Sequence, residues 1–320
     1  MAAISCSIVV RAFNEEKHIG RLFTGINQQN LKDIEVILVD SGSSDATKEI
    51  ASSDKWAFPV RVVKIEPESF SFGRSLNLGI KEAQGDSVVI ASAHVYPVYP
   101  DWLEKLITPI GDSHVGLTYG KQRGNTTTRF SEHQIFARWF PDEPRTQGSN
   151  PFCNNANAAI RKSLWMEHQY DETLSGLEDL EWAHWAIEQG YKLSYVAEAE
   201  IIHVHEDTPM GIYNRYRREA MAFKKIYPQE TFNFRDFTRL FFGNVVSDSY
   251  VAIRENQFLR AVGTIAWFRL MQFWGTYQGY RQSGPLTWQL RQTFYYPSGT
   301  LAKPNLQPRD IKPIRYEENS

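Results

Sequence analysis

Three groups of residues in this chain have the types and spacing to do chemistry. The first is a set of polar side chains placed where apolar, strand-like runs stop: Asn14 and Glu15 after residues 7–10, Asp40 after 35–39, and Ser92 and His94 after 87–91. In an open parallel sheet, ligands bind in the crevice outside the carboxyl ends of the strands. A carboxylate at Asp40 could there accept from a nucleobase N–H or a ribose hydroxyl; equally, Asp40 and Asp45 could cap a turn and a helix. The second group is Gly176-Leu177-Glu178-Asp179-Leu180-Glu181-Trp182, at the start of a helical pattern. Acids are favoured at a helix N-terminus by the macrodipole, and an acid at the mouth of a cleft can also act as general base toward a hydroxyl nucleophile. The third is Ile201-Ile202-His203-Val204-His205-Glu206-Asp207. At the two-residue period of a strand, His203 and His205 share one face and Ile202 and Val204 the other. Such a pair suits a metal or a diphosphate, with His94 as the third ligand, or is a pair of satisfied polar residues on a strand.

The elements that must position these groups follow from hydrophobic periodicity. Short β-branched runs at 7–10, 35–39, 61–65 and 87–91 alternate with helical patterns at 15–28, 45–52, 75–83 and 101–110, the signature of βαβ units and a mostly parallel sheet. A strand is expected at 115–119. Residues 120–155 lose periodicity and are rich in Thr, Asn, Arg and aromatics, which predicts loops around a site. Strands at 157–160, 192–196 and 200–205 and a helix at 178–189 complete the α/β part. Between 232 and 296 the character changes: 17 of 65 residues are aromatic, and seven Arg face three acids with no Lys, which marks a separate helical appendage. The predicted division is a catalytic domain over 1–225, an aromatic helical region over 226–296 and an extended, Pro-containing tail over 297–320.

Composition excludes other classes. The 320 residues carry 35 Lys+Arg against 37 Asp+Glu, a net charge of −2, so no basic excess supports nucleic-acid binding. Two cysteines, Cys6 and Cys153, are too few for a disulfide framework or a zinc site, and a reducing, cytoplasmic setting is expected. The first ten residues have no basic start and no cleavage signal and read as a first strand. No run of about 18 uncharged apolar residues predicts a membrane span. Neither G-x-G-x-x-G nor a Walker-type G-x-x-x-x-G-K occurs, which argues against a dinucleotide-binding protein or a P-loop NTPase.

Taken in order, Val-Val-Arg-Ala-Phe-Asn-Glu-Glu (9–16), Val-Asp-Ser-Gly-Ser-Ser-Asp-Ala-Thr (39–47), Gly-Arg-Ser-Leu-Asn-Leu-Gly (73–79), the acidic segment at 177–179 and the histidine strand resemble the family 2 glycosyltransferases of the GT-A type. The resemblance spans residues 4–210, and segments 73–79, 89–97 and 150–157 are similar to rhamnosyltransferase-like members that act on envelope glycans. It implies a Rossmann-like, mostly parallel sheet flanked by helices, and inverting transfer of a sugar from a nucleotide-diphosphate sugar to a glycan or lipid-linked glycan in bacterial cell-surface polysaccharide synthesis. It further implies that Arg11, Asn14 and Glu15 line the nucleotide pocket, Asp40 contacts the base, Arg74 and Asn77 sit near base and ribose, Asp179 is the catalytic base with Glu178 beside it, and His203 binds metal or diphosphate.

One departure matters. Where the family shows Asp-x-Asp at the end of the fourth strand, this chain has Ser92-Ala93-His94. Ser92 can still bond a ribose hydroxyl, but His94 with His203, and His205 in a lesser role, would favour Mn²⁺ or another borderline metal over Mg²⁺. Alternatively, Arg215, Arg217 or Arg218 on the following helix neutralise the diphosphate without a cation. No organic cofactor is expected. The acceptor side is expected from Arg123, Asn125 and the aromatic loop around Trp139, with Asn154, Asn155 and Asn157, each of which could instead be a turn or capping residue.

In the C-terminal region Leu259, Val262, Ala266, Leu270 and Phe273 recur at helical spacing. This stripe predicts a helix packed on the catalytic domain or on a second copy, in preference to an interfacial segment giving peripheral contact with the inner face of the plasma membrane. The competing function is a non-catalytic nucleotide-sugar or glycan-binding protein on the same fold. Retention of Glu178, Asp179 and His203 argues against it, since a binder has no use for a base.

Overall fold

Apolar runs become strands here because helices cover both faces of the sheet they form. The computed structural model describes residues 5–66, 69–147, 151–281 and 311–316. In chain order the elements are β1 (Cys6–Ala12), α1 (Ile19–Asn27), β2 (Ile34–Asp40), α2 (Thr47–Ala51), β3 (Val60–Lys64), α3 (Phe72–Glu82), β4 (Ser87–Ser92), β5 (Val95–Pro97), α4 (Trp102–Ile107), β6 (Val115–Arg123), α5 (Phe130–Trp139), β7 (Arg145–Gln147), β8 (Asn157–Arg161), α6 (Lys162–Glu167), α7 (Glu178–Glu188), β9 (Lys192–His203), α8 (Pro209–Ile226), α9 (Phe234–Arg254) and α10 (Phe258–Arg281). The sheet order is β3-β2-β1-β4-β8-β6-β9-β5, with β7 paired to β9. Strands β3, β2, β1 and β4 are parallel, β8 runs antiparallel between β4 and β6, and β9 is parallel to β6.

Alternation along β1 divides the core into two layers. Ile8 and Val10 pack with Val36, Leu38 and the α1 residues Leu22 and Phe23, while Val9 packs with Ile37, Val39 and the α3 residues Leu76 and Ile80. The carboxyl ends of β1, β2 and β4 therefore open on one edge, where Asn14, Asp40 and His94 stand.

The segment 120–155 corrects the expectation of loops. Strand β6 runs on to Arg123, and α5 and β7 lie within the segment. The helical period of α5 is hidden because its buried side carries Ser131 and Glu132 as well as Phe136. The two strands expected at 192–196 and 200–205 are one, β9, with a register irregularity opposite Gly120 and Gln122. Its Ala197-Glu198-Ala199 stretch is strand despite small side chains, because Asn157 donates to the Ala199 carbonyl and Gly120 leaves no room for a Cβ there.

Helix α8 joins the sheet to α9 and α10. Thr208 caps it by accepting from Gly211 N–H, with Pro209 in its first turn. A Cβ at Gly275 or Gly279 of α10 would fall on the backbone carbonyls of Tyr213 and Arg217, so these glycines set the close crossing of α8 and α10. A third apolar cluster, with Leu180, Phe223, Phe237, Leu240 and Phe273, ties α7 to α8, α9 and α10. The predicted packing stripe of α10 is a second correction: Leu259, Val262 and Leu270 are exposed, and the buried side carries Ala261, Ile265, Phe268 and Phe273. Residues 282–296 of the predicted helical region, and 297–310 and 317–320 of the predicted tail, lie outside the described residues. Residues 311–316 lie beside β5, with Ile314 N–H donating to the Val98 carbonyl and the Tyr316 hydroxyl to that of Pro97.

Candidate functional site

The acidic segment enters α7 through Leu177, whose φ of 57° lies in the left-handed region. A branched side chain there costs on the order of 1 kcal/mol, and the turn delivers Glu178 and Asp179 to the inner end of the helix. Glu178 is buried and ion-paired to Arg11, Oε1 to Nη1, at 2.9 Å. Asp179 opens on a cavity and accepts from two backbone N–H groups, Asn155 at 3.1 Å and Leu180 at 2.8 Å. Burial first, and then the charge of Glu178, push the Asp179 carboxyl up to about 7, against the pull of those N–H groups and Arg11. An acid so placed can take a proton from a hydroxyl near neutral pH.

Across the same cavity stand His203 and His205, and His94 lies beside them, with one ring nitrogen of each of the three within 4.8 Å of the others. Their Nδ1 atoms are each anchored on an oxygen: His94 on Glu15 Oε1 at 2.8 Å, His203 on Gln122 Oε1 at 2.7 Å, and His205 on Glu132 Oε1 at 2.8 Å. At His203 and His205 these acceptors assign the proton to Nδ1 and leave Nε2 with its lone pair. His203 Nε2 is buried and has no hydrogen-bond partner among the described residues. Burial, followed by the nearness of His205 and His94, holds His203 well below the usual imidazole range; burial and then Arg215 do the same to His205. Neutral imidazoles with oriented Nδ1–H groups and an orphaned Nε2 fit a divalent cation of borderline softness.

The cavity between acid and histidines is about 230 Å³. Phe136, Trp139, Phe140 and Phe152 form an aromatic wall, with Trp139 stacked on Phe152 at 4.4 Å, and α8 contributes Arg215, Tyr216 and Glu219. Glu132, with Oε1 taken by His205 and Arg215, leaves its buried Oε2 without a partner among the described residues, and the same holds for Arg215 Nε and Gln122 Nε2. These unspent polar atoms beside an aromatic wall match the mixed surface of a sugar ring, apolar C–H faces with a rim of hydroxyls.

Several other expected residues serve the scaffold. Asn77 is buried and brackets α3 to the segment after α6, accepting from Trp165 Nε1 and Tyr170 N–H and donating to the Tyr170 carbonyl and Glu172. That corrects its expected place beside base and ribose. Asp40, 2% exposed, accepts from Gly42 and Ser43 N–H and so caps its turn. Arg74 pairs with Glu172 at 3.1 Å on the surface. Asn14, at φ 55°, accepts from Ser44 N–H and donates its own N–H to Ser43 Oγ, which locks the β1 and β2 ends together. Ser92 is partly exposed at the end of β4.

On the expected acceptor side, Trp139 and Asn154 line the cavity. Asn155 holds the acid pair, through its N–H to Asp179 and Nδ2 to Glu178. The other three do not line that cavity. Asn157 is fully buried, joining Trp102 Nε1 to the Lys121 and Ala199 carbonyls; Asn125 caps the turn before α5; Arg123 pairs with Glu200. Sequence reasoning missed Gln122, Glu132, Phe136 and Glu219. The available signal was the 132, 136, 139/140 spacing, which puts one acid and three aromatics on one helix face once 130–139 is read as helical.

Residues 7–168 match the family model described as Glycosyl transferase family 2. An O-antigen chain rhamnosyltransferase of Salmonella typhimurium is 25% identical over 223 residues, 66% of this chain and 69% of that protein. A second, from Salmonella anatum, is 27% identical over 213 residues, 61% and 64% of the two chains. Among solved structures, a mannosyltransferase from Pyrobaculum calidifontis in complex with GDP-Man and Mn²⁺ aligns at TM-score 0.58 and 17% identity over 91% of this chain and 87% of that one. Residues 1–349 of S. aureus TarS in complex with UDP-GlcNAc align at 0.54 and 17% over 87% and 92%. At these identities the two structures establish a shared fold.

Proposed function

This chain belongs to glycosyl transferase family 2, and on that premise we propose that its cavity moves a deoxyhexose from a nucleotide-diphosphate sugar to a hydroxyl of a cell-surface glycan, with inversion. The observation that carries the reading is Asp179, an acid pushed up to about 7, opening on the cavity that the neutral imidazoles of His203 and His205 also line, with His94 beside them. Asp179 takes the acceptor hydroxyl proton as that oxygen bonds to the anomeric carbon. The bond from that carbon to the diphosphate oxygen breaks on the opposite face, and the nucleoside diphosphate leaves with the bonding pair. Arg11 holds Glu178 and, through it, the start of α7; Arg215, clamped by Glu132 and Asp207, supplies fixed positive charge beside the histidines.

His94, His203 and His205 would hold a divalent cation, Mn²⁺ in preference to Mg²⁺ given an all-imidazole set. When bound, it supplies positive charge for the departing diphosphate. The rhamnosyltransferase activity of the two Salmonella relatives supports the deoxyhexosyl donor and the glycan acceptor, and the Mn²⁺ and GDP-Man of the Pyrobaculum structure support the donor class and the metal. A cytoplasmic site of action goes with this reading, as both cysteines are free and buried.

The test is calorimetry of UDP, GDP, dTDP and CDP with Mn²⁺, Mg²⁺ or EDTA, followed by release of the bound nucleotide from its sugar conjugate. Asp179→Asn is expected to bind the same nucleoside diphosphate as the parent chain and to release it from the sugar roughly 10²–10⁴-fold more slowly. Near-normal turnover in Asp179→Asn would remove the base assignment, and failure of every nucleotide to bind folded protein would remove the donor.

A further inference from the structure

We propose that the outward face of α9 and α10 docks this chain in the headgroup plane of an anionic lipid bilayer. Helix α9 turns Asp236, Phe237, Leu240, Asn244, Asp248 and Ala252 inward. On its opposite side stand Phe242, Val246, Tyr250 and Ile253, exposed by 62%, 68%, 62% and 57%. Steps of four, four and three residues put these on one stripe of a helix. After a connection of three residues, 255–257, α10 exposes Leu259 by 90% and Val262 and Leu270 by 37% each. Single exposed apolar residues are ordinary on a protein surface; a continuous stripe of large ones marks a contact surface.

Charge selects the occupant. Arg235, Arg239, Arg254 and Arg260 are exposed around the stripe, and Arg254 lies over the Tyr250 ring. Two of the three acids of this stretch are withdrawn from it. Asp236 closes a capping box with Asn233, and Asp248 is fully buried, gripped by Arg269 at 2.8 and 3.0 Å. Only Glu255 remains as an exposed acid within α9, α10 and their connection. A rim of four arginines to one acid opposes its own copy in an isologous contact and complements anionic headgroups. Apolar side chains, a Tyr and a Phe between arginines are the composition of a helix lying in the interface, and no helix among the described residues is long and apolar enough to cross the membrane. Helix α10 also lines the cavity, through Gln272, Thr276 and Tyr280. If the proposed transfer holds, docking brings a lipid-borne acceptor to a wall of the site; the docking itself does not depend on it.

The full chain is to be co-sedimented with vesicles of phosphatidylcholine alone and of phosphatidylcholine with about one third phosphatidylglycerol. Binding to the anionic vesicles is expected, falling about tenfold or more with added salt and in both Phe242→Ser/Val246→Ser and Arg235→Glu/Arg239→Glu. Met166→Ser, an equally exposed apolar position on α6, should bind as the parent does. Negligible binding to both vesicle types, or binding that neither double variant weakens, would overturn the proposal. A concentration-dependent dimer abolished by Phe242→Ser/Val246→Ser, without vesicle binding, would give the face to a second copy and overturn it as well. Nucleoside diphosphate binding, measured on the same preparations, reports folding and the transfer reading separately.

Discussion

The acid pair and the histidine cluster face each other across one cavity, and burial acts on them in opposite directions. At Asp179 it raises the affinity for a proton, so the carboxyl gains basic strength near neutral pH; at His203 and His205 it lowers that affinity, so the rings stay neutral and keep a lone pair for a ligand. The supports differ too. Asp179 is held by backbone N–H groups, one from the adjacent residue, and its neighbour Glu178 by one cation, the Arg11 guanidinium, with Asn155 Nδ2 as a longer neutral donor. The histidines are held by side-chain oxygens from three separate places: the loop after β1, strand β6 and helix α5. The acid side should therefore fail through one ion pair, and the histidine side by degrees.

The largest effect is expected from Arg11→Met. It leaves Glu178, 4% exposed, without its cation, and breaking a buried pair costs about 3–5 kcal/mol. Denaturant unfolding should show that loss, while Mn²⁺ binding at the histidines stays unchanged. A loss of under about 1 kcal/mol, the size of an exposed pair, would mean the acid side does not hang on this contact.

Next in size is a pH dependence of stability whose sign is unusual for an aspartate. The Asp179 carboxyl sits at about 7 in the folded chain against 3.8 for the free group, so between those values the folded state binds more protons than the unfolded state. Stability then falls as pH rises through this window, by an amount on the order of a few kcal/mol, whereas a carboxylate with a depressed value would add stability over the same range. Asn does not titrate. The Tm of the parent minus that of Asp179→Asn should thus decrease from about pH 4 to about pH 7 and level off above that, whatever its offset, and a flat or rising difference across that window would contradict the burial argument.

What was legible in the chain follows the same division. The first four strands, the acid pair and the same-face histidines are local patterns: continuous apolar runs for strands buried on both faces, a helix start, a period of two. The supports of the histidines are not local. Gln122 lies 81 residues from His203 and Glu132 73 from His205, and no spacing in a single chain marks such partners. The polar residues that anchor the site also hid its elements, since Glu132 on the buried face of α5 masks a helical period. Asn77 was misplaced because its side chain satisfies the backbone of Tyr170 across a packing interface, a task indistinguishable in sequence from ligand binding. In α10, periodicity revealed the stripe of Leu259, Val262 and Leu270 but not on which side of it water lies, since buried and exposed apolar faces share one spacing.

The histidine side should weaken in graded steps when Mn²⁺ is titrated calorimetrically without nucleotide. His203→Ala removes the ring whose Nε2 is buried and unpartnered, and its loss of affinity should exceed the roughly 10–100-fold that follows when only a supporting acceptor is disturbed. Glu132→Gln should fall within that range and toward its upper end, because Oε1 of this buried carboxylate orients His205 and holds Arg215 at the same time. Glu15→Gln should fall toward the lower end. Glu15 supports His94 alone, both side chains are partly open to water at 17% and 27%, and a glutamine oxygen can still accept from Nδ1. Equal losses in the two glutamine variants would mean that Arg215 does not depend on Glu132. No loss in His203→Ala would leave the three rings a hydrogen-bonded cluster without a metal.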